Sequence, residues 1–130
     1  MNELKKKFNF SYTASFTSKI ISPKNKDELK KYMAKDFIIV GNLRSYGDTL
    51  IGSGKYLSLS NFKKILNLDL KKKIIEIETG ASLKEMNDVI FKKGFILECM
   101  PGCKYVTIGG MISNNISGKL LFKNKLKNYI

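Results

Sequence analysis

Arg44 is the single arginine among the 24 basic residues of the chain. It stands in Gly41-Asn42-Leu43-Arg44-Ser45-Tyr46-Gly47-Asp48, directly after the apolar run Phe37–Val40. A sequence that otherwise uses lysine has kept one planar fork of donors, which implies recognition of a shape as well as a charge. Gly41 and Gly47 remove side chains where the backbone must turn or approach a ligand closely. The alternative is a surface connection carrying a buried arginine–aspartate pair.

A second glycine-rich stretch runs from Pro101 and Gly102 through Thr107-Ile108-Gly109-Gly110 to Asn114, Ile116, Ser117, Gly118 and Lys119. Thr107 is placed to cap a short helix over residues 108–114. Uncapped N–H groups at such a start, together with the helix dipole, favour an anion. The competing reading is close helix–strand packing through Gly109 and Gly110, and the two are compatible.

The elements that must position these stretches follow from periodicity and punctuation. Residues 1–18 are weakly patterned and read as a loosely ordered arm. Lys19–Ser22 reads as a strand ended by Pro23. Asn25 caps a helix over 26–35, with Asp27 and Glu28 in its first turn. Phe37–Val40 is a second strand, so the Gly41–Asp48 loop falls at a strand's C-terminal end, where open α/β sheets hold ligands. Residues 56–60 form another strand, and 61–64 a helical turn. Residues 65–69 and 74–78 form strands joined by a turn at Lys71–Lys73. Ser82 and Glu85 form a capping-box pattern opening a helix to about Lys93, closed by Gly94. Phe95–Leu97 reads as a short strand.

Composition narrows the function classes. The 130 residues make one domain at most. No apolar run approaches the roughly 18 residues of a membrane span, and no signal peptide is read at the basic N-terminus. The cytoplasm is the expected compartment, with the inner membrane face as the other site. The net charge of +13 raises a nucleic-acid reading. The lysines are scattered without interleaved aromatics, so no nucleic-acid partner is expected. The positive balance suits an anionic cofactor or a phosphorylated substrate, and five lysines but no acidic residue follow Glu98. Cys99 and Cys103 are spaced too widely for a Cys-x-x-Cys pair and read as free thiols. With no histidine, a metal site lacks ligands.

Arg44-Ser45-Tyr46-Gly47-Asp48 followed by Thr107-Ile108-Gly109-Gly110 resembles the FAD-binding domain (PCMH type) of the vanillyl-alcohol-oxidase superfamily. The likeness is greatest to decaprenylphosphoryl-ribose oxidase (2'-epimerase)-type enzymes. Those carry Gly-x-Gly-Arg-Ser-Tyr-Gly-Asp, then Pro-Gly-(x)4-Thr-(Val/Ile)-Gly-Gly and His-Gly-Lys. The resemblance runs from about Ile20 to Lys119. It implies an α+β fold, the N-terminal part of a two-lobed FAD-binding domain. The first lobe would cover 19–80 and a partial, incomplete second lobe 81–130.

It further implies that FAD contacts fall on Gly41, Asn42, Leu43, Arg44, Ser45, Tyr46, Gly47, Asp48, Gly102, Thr107, Ile108, Gly109, Gly110, Asn114, Ile116 and Ser117. Lys119 would lie near substrate, and no catalytic base is assigned. Leu43 replaces a family glycine and threatens to crowd the pyrophosphate. Ser117 replaces the family histidine, so FAD is expected to be non-covalent. Leu120 replaces an asparagine, and the tail beyond it departs from the pattern. The implied activity is oxidation of a sugar hydroxyl, with a polyprenyl-phosphate-linked pentose as the suggested case. The family's enzymes are longer. The alternatives are therefore a split subunit completed by a second chain, an inactive truncated remnant, and, least favoured, a basic nucleic-acid-binding module.

Overall fold

The computed structural model describes residues 5–33, 35–52, 54–97 and 99–120, with 5, 119 and 120 placed by backbone alone. The expectation of a divergent tail beyond Leu120 lies outside these residues. The fold is α+β, with four small sheets and three helices among the described residues.

The chain opens with an antiparallel hairpin of β1 (Lys5–Phe8) and β2 (Ser15–Ser18). This corrects the expected loose arm. The alternation Ser15-Phe16-Thr17-Ser18 puts one large apolar side chain on the inner face, and Phe16 is buried. Its ring stacks on Tyr56 with centroids 4.3 Å apart. Such a pair contributes about 0.5–1.5 kcal/mol beyond its buried area.

A three-stranded parallel sheet follows, built from β3 (Ile20–Ile21), β4 (Phe37–Val40) and β5 (Lys55–Ser58) in the order β3-β5-β4. The central strand β5 buries Tyr56, Leu57 and Ser58 in succession, as a parallel strand covered on both faces does. The helix α1 (Lys26–Met33) connects β3 to β4. Asn25 Oδ1 accepts the Glu28 N–H at 2.8 Å, so the predicted cap is present. The helix buries none of its residues and touches the sheet through Tyr32, edge-on to Phe37. Phe16, Val40, Leu50 and Tyr56 form the first core, with Ile20, Ile38 and Leu43 packed on it.

The hairpin of β6 (Ile65–Asp69) and β7 (Ile74–Ile77) turns at the predicted lysine triplet, where Lys73 takes φ 57°. Then come α2 (Leu83–Ile90), a 3-10 turn over Phe91–Lys93, β8 (Cys99–Met100), α3 (Ile108–Ser113) and β9 (Lys119–Leu120). Gly94 closes the α2 region at φ 77°. The second core is Ala81, Leu83, Met86, Ile90, Ile108 and Met111. Leu68, Ile75 and Ile77 pack on it, so the β6–β7 hairpin joins α2 and α3, where the sequence suggested a cut after Gly80. Phe95–Leu97 is not a strand. Phe95 and Leu97 are used for packing on this core, and the ladder forms at Cys99–Met100 against Lys119–Leu120.

The α2 start is a full capping box. Glu85 N–H donates to Ser82 Oγ at 3.2 Å, and Ser82 N–H and Oγ–H both donate to Glu85 Oε2 at 2.8 Å. These donors, the Ser82 N–H first, hold the Glu85 carboxyl below its ordinary range, and Lys63 adds attraction. A carboxyl whose folded pKa lies below its unfolded value stabilises the fold above the unfolded value. That contribution disappears as pH falls through the folded one. We predict that Ser82→Ala costs about 1 kcal/mol in denaturant unfolding. Glu85→Gln should lower the melting temperature near neutrality, and the gap to wild type should close as pH falls below the ordinary glutamate value of about 4.3. A gap of constant size across that range would contradict this assignment.

Candidate functional site

Two loops separated in sequence meet at the C-terminal end of β4. Asn42 Nδ2 donates to the Tyr105 carbonyl at 2.9 Å across 63 residues. A Cβ on Gly41 would lie 2.3 Å from Thr107 Oγ1, so only glycine allows the approach. Thr107 is buried, and its Oγ1 accepts the Gly110 N–H at 3.2 Å. The predicted N-cap of α3 is therefore present and lies against the first loop.

The N–H donors at the start of α3, expected to face an anion, are engaged within the chain. Ile108 N–H donates to Ala81 O and Gly109 N–H to Thr79 O, both at 2.8 Å, and Met111 N–H donates to Thr107 O. With Gly110 N–H on the cap, the first-turn donors are all used within the chain. Leu83 N–H in turn donates to Val106 O, and Ser82 and Thr107 form an antiparallel bridge. The starts of α2 and α3 thus satisfy each other, and the packing reading of Gly109 accounts for the sequence. Gly109 sits where a Cβ would be 2.9 Å from Thr79 Cβ.

The first loop has the opposite character. Among the described residues, no hydrogen bond uses the N–H of Asn42, Leu43, Arg44, Ser45, Tyr46, Gly47 or Asp48. Four of their carbonyls are engaged: Ser45 O accepts Phe10 N–H, Gly47 O accepts Asn9 Nδ2, Tyr46 O accepts Thr49 Oγ1, and Asp48 O accepts Ile51 N–H. Leu43 takes φ 54° and Gly47 φ 62°. Successive spare N–H groups in a turn with left-handed residues are a type of backbone that can receive an anion. At its far end the loop is anchored by buried Tyr56, whose hydroxyl donates to Leu50 O at 2.8 Å.

Leu43 answers the crowding concern. It takes a left-handed backbone conformation at φ 54° and packs its side chain on the first core. Arg44 is exposed and makes no ion pair with Asp48 among the described residues, so the buried-pair alternative falls. Its guanidinium carbon lies 5.6 Å from the ring centroids of both Phe10 and Tyr105. Cation–π contacts of this kind hold the head group while leaving its N–H fork available. Tyr46 is exposed and stands edge-on to Phe10.

The remaining predicted residues spread out. Gly102, Asn114 and Ser117 are exposed, Ile108 is buried, and Ile116 packs on the second core. Asn114 Nδ2 caps its own helix through Gly110 O at 2.9 Å. Lys119 is placed by its backbone opposite Met100. Asn9, Phe10 and Tyr105 were absent from the sequence reading. The alternation Asn9, Ser11, Thr13 is the local signal of a side-chain-bonded turn that marks the first two.

Beside the Asn42–Tyr105 bond lies a cleft of about 410 Å³ lined by Asn42, Ser60, Lys63, Lys84, Glu85 and Tyr105, among others. Lys63 pairs with Glu85 at 3.6 Å. Asp88 hydrogen-bonds Lys84 and raises its pKa, and Lys84 in turn lowers that of Asp88. The rim is therefore charged near neutrality.

A family model described as an FAD binding domain matches residues 17–130. The chain belongs to this family of FAD-binding domains. The D-lactate dehydrogenase of Anaerostipes hadrus is 32% identical over 72 residues, which is 55% of this chain and 15% of that protein. The decaprenylphosphoryl-beta-D-ribose oxidase of Mycolicibacterium smegmatis is 30% identical over 77 residues, 58% of this chain and 17% of that one. Cholesterol oxidase from Brevibacterium sterolicum shares the fold with TM-score 0.75 at 13% identity, covering 91% of this chain and 25% of its own. The chain thus spans at most about a quarter of the length of these proteins. No described helix is long and apolar enough to cross a membrane.

The Gly41–Thr107 contact yields a test. Gly41→Ala should cost about 1–3 kcal/mol by overpacking. In a Thr107→Ala background most of that cost should vanish, because the atom it collides with is gone. Additive losses in chemical unfolding would refute the contact.

Proposed function

We propose that this FAD-binding domain holds FAD non-covalently through the Asn42–Asp48 loop and serves a flavin-dependent oxidoreductase acting on a hydroxyl-bearing carbon. The observation that carries the reading is the row of unspent N–H groups beside Arg44. A dinucleotide pyrophosphate needs several converging donors and a positive field. The loop offers the donors, and the net charge of +13 supplies the field. Arg44 and Ser45 would contact phosphate. Ile108 to Gly110 would shape the site from behind, since their N–H donors are already used. Gly102, Asn114 and Ser117 are the exposed residues of the second stretch that remain candidates for contact. The chain has no histidine, so a histidyl–flavin bond cannot come from it.

When bound, FAD supplies the acceptor for hydride from the substrate carbon. The sugar-hydroxyl reading, with a polyprenyl-phosphate-linked pentose as substrate, draws its support from the decaprenylphosphoryl-beta-D-ribose oxidase similarity. The D-lactate dehydrogenase similarity supports a 2-hydroxy acid with comparable identity. Turnover would need further polypeptide to cover the flavin and substrate, and a second chain is one source of it. In favour of this, Ile39 on edge strand β4 is 65% exposed and Met33 on α1 is 72% exposed. Open apolar edges of this sort invite association.

Titrating the folded chain with FAD, read by flavin fluorescence and thermal shift, tests the reading. Saturable binding with a raised melting temperature is expected. Arg44→Ala should raise the Kd at least about tenfold, equal to about 1.4 kcal/mol. Arg44→Lys should recover only part of it, since a point charge lacks the fork. A folded chain that ignores FAD would end the proposal.

A further inference from the structure

We infer that the N-terminal hairpin positions the cofactor loop, with Asn9 and Phe10 as its positioning residues; this rests on the FAD reading above. The hairpin's tip lies outside the family match, which begins at residue 17. Asn9 is 2% exposed, and its amide is fully used. Nδ2 reaches Gly47 O at 2.7 Å, Thr13 Oγ1 at 2.9 Å and Ser11 Oγ at 3.1 Å, while Oδ1 accepts Ala14 N–H at 3.2 Å. A buried amide is stable only when so satisfied. The site is therefore built around this one side chain, and it joins residues 38 apart. One position further on, Phe10 N–H donates to Ser45 O at 3.1 Å.

These two bonds decide where the loop's donors point. In a trans peptide the C=O of one residue and the N–H of the next are antiparallel, and the described chain has no cis bond. Drawing Ser45 O onto Phe10 therefore turns the Tyr46 N–H away from the hairpin. Drawing Gly47 O onto Asn9 does the same for the Asp48 N–H. The hairpin thus orients two of the unspent donors before any ligand arrives, which reduces the ordering cost of binding. The Phe10 ring acts on the third component, holding the Arg44 guanidinium opposite Tyr105.

The test uses the whole chain. Hydrogen exchange of the ligand-free protein should show faster exchange in Asn9→Ala at Phe10 and Ile51, whose N–H groups donate to Ser45 O and Asp48 O, with 83–90 and 108–113 unchanged. The FAD Kd of that variant should rise about tenfold or more. Phe10→Leu keeps Asn9 and the backbone bonds, and should weaken FAD several-fold without altering exchange at positions 10 and 51. Wild-type exchange and wild-type affinity in Asn9→Ala would overturn the inference. If Asn9→Ala does not fold, Phe10→Leu decides it, and unchanged FAD affinity there would overturn it. A wild-type chain that binds no FAD, with Asn9→Ala still speeding exchange at positions 10 and 51, would remove the flavin reading and leave the positioning role standing.

Discussion

Thr107 is the point on which the rest of the arrangement depends. Its Oγ1 caps α3, its backbone bridges Ser82, and its side chain fills the space left by the missing Cβ of Gly41. One buried residue therefore ties together the starts of α2 and α3 and the first loop. The hydrogen bonds that weld the starts of α2 and α3 also consume the donors that an anion would need. Packing and ligand binding compete for the same N–H groups here. Packing takes those of the second stretch and leaves those of the first.

The loop after β4 keeps its donors because its carbonyls are the groups that bond inward. Ser45, Tyr46, Gly47 and Asp48 all accept hydrogen bonds, from the hairpin or from the loop itself. Two loop residues, Leu43 and Gly47, are in left-handed conformation. A leucine there costs about 1–2 kcal/mol relative to a relaxed backbone. Its contact with the first core offsets that cost, because the same φ that strains the backbone sends the side chain inward. The departure from the family glycine is thereby accommodated with the side chain packed on the core.

Charge plays two roles at different ranges. The lysine excess supplies a general positive field, which salt screens beyond about 10 Å. Arg44 supplies a directed fork, held between Phe10 and Tyr105. Paired lysines such as Lys63 and Lys84 have carboxylate partners on the cleft rim and add little to stability at such exposure.

The sequence by itself determined what depends on neighbours a few residues apart. The Ser82–Glu85 capping box, the Asn25 and Thr107 caps, the Gly94 stop and the Lys71–Lys73 turn could all be read because each bond closes within one turn. The pairing of two glycine stretches marked the family for a related reason, since each motif is a local backbone shape. Only the tertiary structure decided which donors remain free. Ile108 and Gly109 find their acceptors at Ala81 and Thr79, and nothing near them in sequence announces it. The same holds for Asn9, whose partner Gly47 lies 38 residues away, and for the β6–β7 hairpin, whose apolar face belongs to α2 and α3. Alternation shows that a strand has an inner face but does not say which surface it will meet. That choice, like the fate of each buried N–H, follows from which backbones are brought within hydrogen-bonding distance when the two cores close.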